Sequence, residues 1–581
     1  MTNQNLEYKR HTLAHLLAAA VLELYPDTKN TIGPAIDNGF YYDFEFSSPL
    51  SEADLPKIEA KMRDLLPTWQ EFLSQETSAK EAKNKYTGNE YKQDLINEIE
   101  ERQEKITLYT VGNFTDLCRG GHAKNPSLDI DPASFKLDRL AGAYWRGDEN
   151  NKMLTRIYGL AFDTKDELDT YITQREEAKD RDHRKLGKEL GLFTFSELVG
   201  AGLPLFTPKG TLVRNLIMDK INTIQARFGY EQVTIPHITK KNLYETSGHW
   251  EKYKDDLFHI KGMSDAQFVM KPMNCPHHTQ IYASDMRSYR DLPLRYAETT
   301  MVYRDEQAGE LLGLARVRSI TQDDGHVFCT MDQVETEVRN IVQVIKEFYG
   351  LLDMFTEGKY WVSLSVRDSK NLDQYLGQEK NWVLAETMLE NVAQEEGLNY
   401  KKVEGEAAFY GPKLDFMFKD SLGRERQLAT AQIDFVMPER FNLEYTAADG
   451  SKVTPVMIHR AIAGSLERFM AIMLEHFNGN FPLWLSPVQV VILPVAESHG
   501  DYATEVLTKL KAENFRVKLF PAGDSLGKRL HKTSSEKIPY KIVIGDKEKD
   551  SGNLTLESRD EAKKENLTLE NLIQKLQSEL K

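Results

Sequence analysis

Two neighbouring segments decide the fold of this chain, RYAETTMVYRDE (residues 295–306) and RVRSITQDDGHVFC (residues 316–329). Both are strand-like runs, and a short loop separates them. They belong to a block of residues 191–484, which begins with an amphipathic helix predicted over residues 211–228. The apolar positions of that helix share one face because they recur at helical spacing. They are Leu212, Leu216, Ile217, Ile221, Ile224 and Phe228.

Three segments of this block carry candidate metal ligands: KPMNCPHH (271–278), the segment 316–329 and VMIHRAIAGSLERF (456–469). They supply Cys275, His326 and His459. One cysteine and two histidines suit zinc, and a catalytic zinc keeps three protein ligands and one open position. Because the three residues are far apart in the sequence, their spacing alone leaves a purely structural role open for each histidine.

The rest of the chain divides into three further regions. Residues 1–163 mix helices, predicted over 6–25 and 51–75, with strands predicted over 39–46 and 106–111. Residues 164–190 are dense in charge at helical spacing, which predicts a solvated helix bridging two domains. Residues 485–581 alternate strand and helix, which predicts a small α/β domain with a mainly parallel sheet.

The bulk composition limits the class of protein. The 581 residues have a net charge of −15 and are 40% hydrophobic and 28% charged, which is typical of a globular protein of about three or four domains. No apolar run approaches the roughly 20 residues that a membrane span needs. With only 3 cysteines, a disulfide framework is not expected and the cytoplasm is the predicted compartment. The acidic balance still allows a local basic surface to bind a polyanion.

Taken together, the motifs resemble those of the class II aminoacyl-tRNA synthetases. The helix ending in GYEQVTIP resembles motif 1, with Pro236 as its proline, and residues 295–329 resemble motif 2, two antiparallel strands with an arginine ending the first. GSLERF (464–469) resembles motif 3, a strand feeding a helix that carries an arginine. Within this class, MNCP, TQDDGH and MIHRA are similar to the threonyl-tRNA synthetases, and the resemblance covers essentially the whole chain.

The resemblance implies an α+β multidomain fold. It assigns an α+β editing domain to residues 1–163, a linker helix to 164–190, an antiparallel-sheet catalytic domain to 191–484 and an α/β anticodon-binding domain to 485–581. It also implies a homodimer, since the motif 1 helix packs across a two-fold axis. The implied partners are ATP, L-threonine and the threonine tRNA, and no membrane.

In the implied reaction, the threonine carboxylate attacks the α-phosphate of ATP and expels pyrophosphate, and the threonyl group of the resulting adenylate is then transferred to the 3′ end of the tRNA. Both reactants of the first step are anions, so positive charge must lie where negative charge develops. By resemblance, the catalytic side chains are Arg304, Arg316, Arg468 and Lys413. Glu306 is expected to accept a hydrogen bond from the adenine amino group, and Mg²⁺ is expected with ATP. No general base is needed, because the threonine carboxylate is already ionised.

The resemblance assigns one zinc ion per chain to Cys275, His326 and His459. Threonine offers an amine and a hydroxyl to the metal, whereas valine lacks the hydroxyl and is rejected strongly. By resemblance, Asp324 accepts from the bound hydroxyl, and Tyr410 and Gln432 lie near the amine. The alternative for Tyr410 is a core aromatic residue with a satisfied hydroxyl.

Serine is harder to exclude, because a missing methyl group is worth only about 1–3 kcal/mol. A second, hydrolytic site is therefore expected. His11 and His15 share one helix face, and together with Cys118 and His122 in DLCRGGH they resemble an editing site that hydrolyses seryl-tRNA. Lys92 matches a lysine of that site. A second zinc site remains an alternative for these histidines and Cys118, although a metal-free site is favoured. Which group transfers the proton in hydrolysis is left open.

The sequence departs from the family pattern in several places. By resemblance, we expect the chain to begin directly at the editing domain, without the ubiquitin-like domain of many relatives. Gly121 replaces a proline, which predicts a less rigid loop. Ile320 replaces a phenylalanine that stacks on adenine, and Leu428 stands where many relatives have a cysteine near the threonine pocket.

Three further considerations concern partners and alternatives. The basic residues of the last domain are candidates for tRNA contact: Arg516, Lys518, Lys528, Arg529 and Lys541. A non-catalytic RNA-binding paralogue would have lost the motif arginines, which are all present here. A metal-dependent hydrolase centred on the N-terminal histidines would leave the three class II motifs unexplained.

Overall fold

The computed structural model describes residues 4–148, 150–263, 266–561 and 563–580, without the side chains of residues 252 and 253. The chain divides into two compact units, Met1–Glu176 and Glu177–Lys581. None of the described helices is both long and apolar enough to cross a lipid bilayer.

The first unit combines helices with small antiparallel sheets. Its helices are α1 (Gln4–Leu24), α2 (Leu55–Leu65), α3 (Ala79–Lys85), α4 (Glu90–Glu101), α5 (Pro126–Asp129) and α6 (Lys165–Asp180), in which the division of the chain falls. Its strands are β1 (Lys29–Asn30), β2 (Ala35–Ile36), β3 (Gly39–Glu45), β4 (Leu73–Thr77), β5 (Ile106–Val111), β6 (Phe114–Leu117), β7 (Phe135–Tyr144) and β8 (Met153–Ala161). One sheet has the order β1-β3-β8-β7, with β2 on β3, and another has the order β4-β5-β6.

Helix α1 is the centre of this unit, and its residues 12–21 are all buried. The helix predicted over 51–75 is shorter than expected. It ends at Leu65, followed by a 3₁₀ turn over Leu66–Thr68. Pro67 has no amide hydrogen to continue the helix, and the chain then enters β4.

The second unit contains the remaining elements. Its helices are α7 (His183–Glu189), α8 (Pro208–Ala226), α9 (Asn242–Ser247), α10 (His249–Tyr253), α11 (Cys275–Ala283), α12 (Val334–Gly350), α13 (Glu379–Glu395), α14 (Val436–Arg440), α15 (Leu466–His476), α16 (Gly500–Ala512), α17 (Leu526–Ser535), α18 (Asp546–Ser551) and α19 (Leu569–Glu579). Its strands are β9 (Phe193–Thr194), β10 (Leu205–Phe206), β11 (Glu231–Gln232), β12 (Ile238–Lys240), β13 (His259–Ile260), β14 (Phe268–Met270), β15 (Arg287–Ser288), β16 (Leu294–Tyr303), β17 (Ser319–Cys329), β18 (Tyr360–Val366), β19 (Tyr400–Glu404), β20 (Lys413–Lys419), β21 (Glu425–Asp434), β22 (Tyr445–Thr446), β23 (Lys452–Val453), β24 (Val456–Ala461), β25 (Val490–Pro494), β26 (Val517–Leu519), β27 (Tyr540–Ile544), β28 (Leu554–Ser558) and β29 (Lys564–Leu567).

The segment predicted as one bridging helix, 164–190, is two helices, α6 and α7. The break is explained by Asp182, whose carboxylate accepts a hydrogen bond from the backbone amide of Arg184 at 2.8 Å. An aspartate in this position caps the start of a new helix.

The predicted helix over 211–228 begins earlier, at Pro208, because Thr207 caps it and proline suits a first turn. Its buried apolar side chains are Val213, Ile217, Ile221 and Ile224. Val213 rather than Leu212 therefore carries the first contact with the core.

The large sheet positions the candidate site. Among the described residues it has 8 strands in the order β11-β16-β17-β24-β21-β20-β18-β19. The pairings from β16 to β18 are all antiparallel, and only the outermost strands pair parallel. The main core contains side chains of α8, α12 and α15 together with residues of this sheet, which leaves the other sheet face for the site. The antiparallel core predicted for this region is confirmed.

The C-terminal sheet has the order β26-β25-β27-β28-β29. Its first three strands pair parallel, as the strand–helix alternation predicts, but β27-β28 and β28-β29 pair antiparallel. The expected mainly parallel sheet is therefore only half parallel. The connection between β28 and β29 covers only residues 559–563, which is too short for a parallel crossover.

Candidate functional site

The register of the large sheet brings distant site residues into one row. His326 on β17 is paired with His459 on β24. His459 is in turn paired with Gln432 on β21, and Gln432 with Lys413 on β20. Directly opposed residues of neighbouring strands point to the same face of a sheet. Four of the predicted site residues therefore lie side by side on the face away from the main core.

Cys275, the first residue of α11, joins the two histidines of this row. The ligand atoms of Cys275, His326 and His459 lie within 4.8 Å of one another, and all three residues are buried. Burial, reinforced by Asp324 and Asp434, raises the pKa of the Cys275 thiol well above its usual range. Burial also lowers the pKa of His326, so its imidazole is neutral, as a metal ligand must be.

The hydrogen bonds around this cluster fit a metal site. His326 Nδ1 lies 2.8 Å from His278 Nδ1, while the buried His326 Nε2 has no hydrogen-bond partner. His459 Nε2 lies 2.9 Å from Asp434 Oδ2, which leaves Nδ1 as the nitrogen it can offer. A ligating histidine characteristically has its second nitrogen held by a neighbour in this way. The unpartnered His326 nitrogen is what a cation would satisfy.

Several polar side chains lie near the cluster. The Tyr410 hydroxyl donates to Gln432 Oε1 at 2.6 Å, so Tyr410 is tied to the row and not to an apolar core. Asp324 Oδ2 accepts from Asn274 Nδ2 at 3.1 Å. Lys413 Nζ lies 2.6 Å from Asp415 Oδ2. The three predicted threonine-binding residues and Lys413 thus extend one polar surface from the cluster along the sheet.

A cleft of about 630 Å³ contains Gln432 and the residues predicted for ATP binding. Arg304, Glu306, Arg316 and Arg468 all line it, together with Ile320 and Leu428. Arg316 donates to Glu306 Oε2 at 2.8 Å and to Glu310 at 3.0 Å. The Glu306 carboxylate, predicted to accept from adenine, is thus paired with Arg316 here.

Arg468 lies in the first turn of α15, where its backbone amide donates to the Ser465 side chain at 3.2 Å. Burial, together with the positive charge of Arg426, lowers the pKa of Arg468. Guanidinium groups in a cleft favour an anionic ligand, because each can donate two parallel hydrogen bonds to a phosphate. The cleft therefore combines guanidinium groups at one end with the Cys/His cluster beyond Gln432.

The first unit contains a second cluster, formed by His11 and His15 on α1 and by Cys118 and His122 after β6. Their ligand atoms also lie within 4.8 Å of one another. Cys118 Sγ is 3.5 Å from His11 Nε2 and 3.4 Å from His122 Nε2. A pocket of about 350 Å³ is lined by His11, His15, Cys118 and Lys92. The structure thus brings together the five predicted editing residues.

A buried ion pair lies under this cluster. Asp116 Oδ1 is 2.5 Å from Lys92 Nζ, and Asp116 Oδ2 accepts from the Tyr42 hydroxyl at 2.6 Å and lies 3.3 Å from His15 Nδ1. Although burial opposes its charge, contacts with Asp116 and Cys118 raise the pKa of His15 to about 9. Although burial opposes ionisation too, the surrounding histidines lower the pKa of the Cys118 thiol to about 3. The pocket is therefore built around a thiolate and an imidazolium.

Gly121, where the resemblance leads us to expect a proline, lies in the loop after Cys118. Its φ is 86°, which a proline, fixed near −65°, cannot adopt. The Gly121 carbonyl lies 3.1 Å from His11 Nδ1. The loop thus takes a conformation that requires glycine, and it is tied to the histidine cluster.

The comparisons with known proteins cover both units. Residues 258–477 match the tRNA synthetase class II core domain (G, H, P, S and T), residues 489–579 match an anticodon binding domain, and residues 106–158 match the threonyl and alanyl tRNA synthetase second additional domain. A threonine–tRNA ligase of Gloeobacter violaceus is 47% identical over 575 residues, which cover 97% of this chain and 91% of that protein. The chain belongs to the threonine–tRNA ligase family.

Two further similarities support the threonine–tRNA ligase family. A relative from Thermus thermophilus is 47% identical over 578 residues, covering 96% of this chain and 87% of that protein. The crystal structure of the RNA binding domain of a threonyl-tRNA synthetase from Cryptosporidium parvum has a TM-score of 0.64 at 37% identity, covering 68% of this chain and 98% of that chain. The family resemblance and the fold class predicted from the motifs are confirmed.

In this member of the threonine–tRNA ligase family, several site residues were missed by sequence reasoning. His278 follows Cys275 by three residues, close to one helical turn, and this spacing could have placed both on one face of α11. Asp116 precedes Cys118 by two residues, the spacing of one strand face. Asp434 and Tyr42 carried no comparable signal, because only the tertiary fold brings them to their histidines.

The basic residues predicted for tRNA contact in the anticodon-binding domain are mostly engaged within the chain. Arg516 donates to the carbonyls of Ser486 and Trp484 at 2.9 and 2.8 Å. Arg529 is 4% exposed and donates to the carbonyl of Pro494 at 2.7 Å. These two arginines therefore stabilise loops. Carboxylates pair with the three lysines, Lys518, Lys528 and Lys541.

Proposed function

We propose that this protein is a threonine–tRNA ligase, which activates L-threonine with ATP and transfers it to the 3′ end of the threonine tRNA. The observation that carries the proposal is the row on the large sheet. A Cys/His cluster with an unpartnered buried nitrogen lies beyond Gln432, which itself lines the cleft of the motif arginines. An amino-alcohol site next to a polyphosphate site is the arrangement this reaction needs.

The arginines act by placing charge and orienting ATP. Arg304 and Arg316 bind the phosphates near the point of attack, and Arg468 binds the far end of the nucleotide. Positive groups fixed in advance stabilise the charge that develops as the threonine carboxylate attacks the α-phosphate and pyrophosphate leaves. Lys413 adds charge on the same side, and Glu306 accepts from the adenine amino group once ATP separates it from Arg316. Mg²⁺ accompanies ATP.

Threonine is selected at the other end of the site, at the Cys/His cluster. Cys275, His326 and His459 would hold one zinc ion per chain, which would supply a Lewis acid for the amine and hydroxyl of threonine. Asp324 accepts from the hydroxyl, while Tyr410 and Gln432 orient the amine. Valine cannot fill the hydroxyl position, so its rejection follows from an unsatisfied site.

The first unit carries the editing reaction of the proposal, hydrolysis of seryl-tRNA without a metal ion. His11 and His15 orient the water or the terminal ribose, and Cys118 and His122 complete the pocket. The support for a metal-free site is that the Cys118 thiol already has imidazole partners at 3.4 and 3.5 Å. Lys92 helps to hold this arrangement through its ion pair with Asp116.

The remaining predictions complete the proposal. They are a homodimer, a cytoplasmic location and domain limits at 1–163, 164–190, 191–484 and 485–581. Tyr42 and Asp116 belong to the editing pocket, through their contacts with Lys92 and His15.

The test is exchange of labelled pyrophosphate into ATP by the purified full-length chain. Exchange should require an added amino acid and should be supported by threonine and also by serine. With valine the exchange rate should be at least about 100-fold lower than with threonine, since a missing hydroxyl is rejected more strongly than a missing methyl. Equal exchange with valine and threonine would contradict the metal-based selection. No exchange with any of the three would contradict the ligase activity itself.

A further inference from the structure

A third group of candidate ligands, Asp182, His183 and Glu475, lies outside both sites. His183 begins α7, and Glu475 is near the end of α15. His183 Nδ1 lies 2.7 Å from Glu475 Oε1, and His183 Nε2 accepts from the backbone amide of Leu314 at 3.1 Å. Both ring nitrogens are therefore engaged, one by a carboxylate and the other by a loop.

These partners determine where the imidazole proton lies. A backbone amide can only donate, so His183 Nε2 must carry the lone pair. Although burial opposes ionisation, His183 and Arg424 lower the pKa of Glu475, and an ionised carboxylate can only accept. His183 is thus neutral, with its proton on Nδ1. No lone pair remains for a metal ion, so this group is a clamp and not a third metal site.

The clamp holds the loop that joins β16 to β17. Leu314 is fully buried at the tip of this loop, where the amide of Leu312 donates to the Arg316 carbonyl at 3.2 Å and closes the turn. The next two residues, Ala315 and Arg316, line the ATP cleft. The hydrogen bond to His183 therefore fixes the backbone immediately before the cleft wall.

Gly313 makes the close approach possible. Its φ is 52°, and a Cβ atom there would lie 2.3 Å from His183 Nε2 and 2.7 Å from Arg184 Cγ. Any side chain would displace either the loop tip or α7, and the positive φ adds strain for a residue other than glycine. The loop and the start of α7 are thus complementary in shape as well as in hydrogen bonding.

We propose that His183 is a positioning residue for the ATP-binding step. Through Leu314 it fixes the loop that carries Glu306 and Arg316, and through Glu475 it ties that loop to α15, the helix of Arg468. The inference rests on the proposed function, because it assigns the cleft to ATP. It gives the start of α7, in the segment predicted as a linker, a direct effect on the nucleotide end of the site.

Two conservative variants separate the two bonds of His183. In His183→Asn, the amide nitrogen takes the place of Nδ1 and keeps the Glu475 bond, while the acceptor for Leu314 is lost. In His183→Gln, the amide oxygen takes the place of Nε2 and keeps the Leu314 bond, while the donor to Glu475 is lost. Gly313→Ala attacks the same contact from the loop. Wild type and variants are compared by pyrophosphate exchange, thermal unfolding, zinc content and hydrogen–deuterium exchange of residues 304–318.

His183→Asn should raise KM for ATP about tenfold, because ATP binding would have to order a loop whose buried Leu314 amide has lost its acceptor, with KM for threonine and zinc content unchanged. Amide exchange in residues 304–318 should be faster in His183→Asn and in Gly313→Ala, and close to wild type in His183→Gln. Equal effects of Asn and Gln on Tm, with KM for ATP unchanged in both, would overturn the inference, as would loss of a metal ion from either variant. If the wild type shows no threonine-dependent exchange, the proposed function fails, while the hydrogen–deuterium result still decides whether His183 holds the loop.

Discussion

The two Cys/His clusters of this protein use the same side chains in opposite electrostatic settings. In the cluster of Cys275, His326 and His459, burial raises the pKa of the Cys275 thiol, and His326 Nε2 has no hydrogen-bond partner. In the N-terminal cluster, the histidines around Cys118 lower its thiol pKa to about 3 despite burial. Burial and two carboxylates oppose a thiolate at Cys275, whereas the neighbouring histidines favour one at Cys118. The two clusters therefore share their residue types and close ligand atoms but differ in their electrostatic surroundings.

Removing the thiol of each cluster tests this contrast most strongly. Cys275→Ala should lose the zinc ion and lower threonine-dependent pyrophosphate exchange by about 1000-fold, because a metal Lewis acid is worth several kcal/mol. Zinc per chain and exchange rate are measured on the same preparation. Cys118→Ala is the matched control and should keep both. Wild-type exchange by a zinc-free Cys275→Ala protein would refute the metal role.

The paired change in the N-terminal cluster should affect only editing. Replacing both His11 and His15 with alanine should slow hydrolysis of seryl-tRNA by about 100-fold, the contribution expected of positioned acid–base groups. Release of serine from preformed seryl-tRNA is the measurement. Pyrophosphate exchange serves as the internal control and should not change.

Two outcomes would count against this description of the N-terminal cluster. Unchanged seryl-tRNA turnover in the double variant would remove the editing assignment. A second zinc ion per chain in the wild type, lost from the double variant, would show that this cluster also needs a cation.

His278 allows a finer test of the metal site, because its ring contacts the candidate ligand His326 on the nitrogen that would not bind the metal. Its Nδ1 lies 2.8 Å from His326 Nδ1. Loss of such a partner typically costs about 10–100-fold in metal affinity, so His278→Ala should weaken zinc binding by that factor in a chelator competition titration. His277→Ala is the control, since its ring nitrogens make no hydrogen bond. Equal zinc affinities in the two variants would exclude the supporting role.

The smallest expected effect is the pH response of Cys118. Its lowered pKa of about 3 means that the thiol is already ionised at higher pH. Alkylation of Cys118 by iodoacetamide should therefore stay nearly constant between about pH 6 and pH 8. Below the pKa of an unperturbed thiol, the reaction rate rises about tenfold for each unit by which the pH increases, since only the thiolate reacts. A tenfold rise per unit at Cys118, read by peptide mass spectrometry, would contradict the description of a thiolate pocket.

The motifs identified the family and the candidate site residues, but not the contacts between those residues. The hydrophobic pattern located α8 within a few residues, and the family motifs predicted Cys275, His326 and His459. Sequence reasoning could not find the break at Asp182, because a capping aspartate within a charged run has no distinct signal. It also named Arg516 and Arg529 as candidates for tRNA contact, although both bind backbone carbonyls.

The reason for these failures is physical. Periodicity reports which face of an element is apolar, and it carries no information about which polar groups meet across elements. The partners of His326, His459 and Lys92 are set by strand register and loop packing. His183 is a further example, because its partners Leu314 and Glu475 are 131 and 292 residues away along the chain.

The cross-strand row from His326 to Lys413 has a consequence for how this protein tolerates insertions and deletions. Each site residue depends on its neighbour's pairing, so adding or removing one residue within β17, β24, β21 or β20 would turn every later side chain of that strand to the opposite face of the sheet. Later site residues would then face the main core, and later core residues would face the site. Length changes between these strands carry no such penalty. Variation in chain length should therefore accumulate in the connections, while the four strands keep a fixed count.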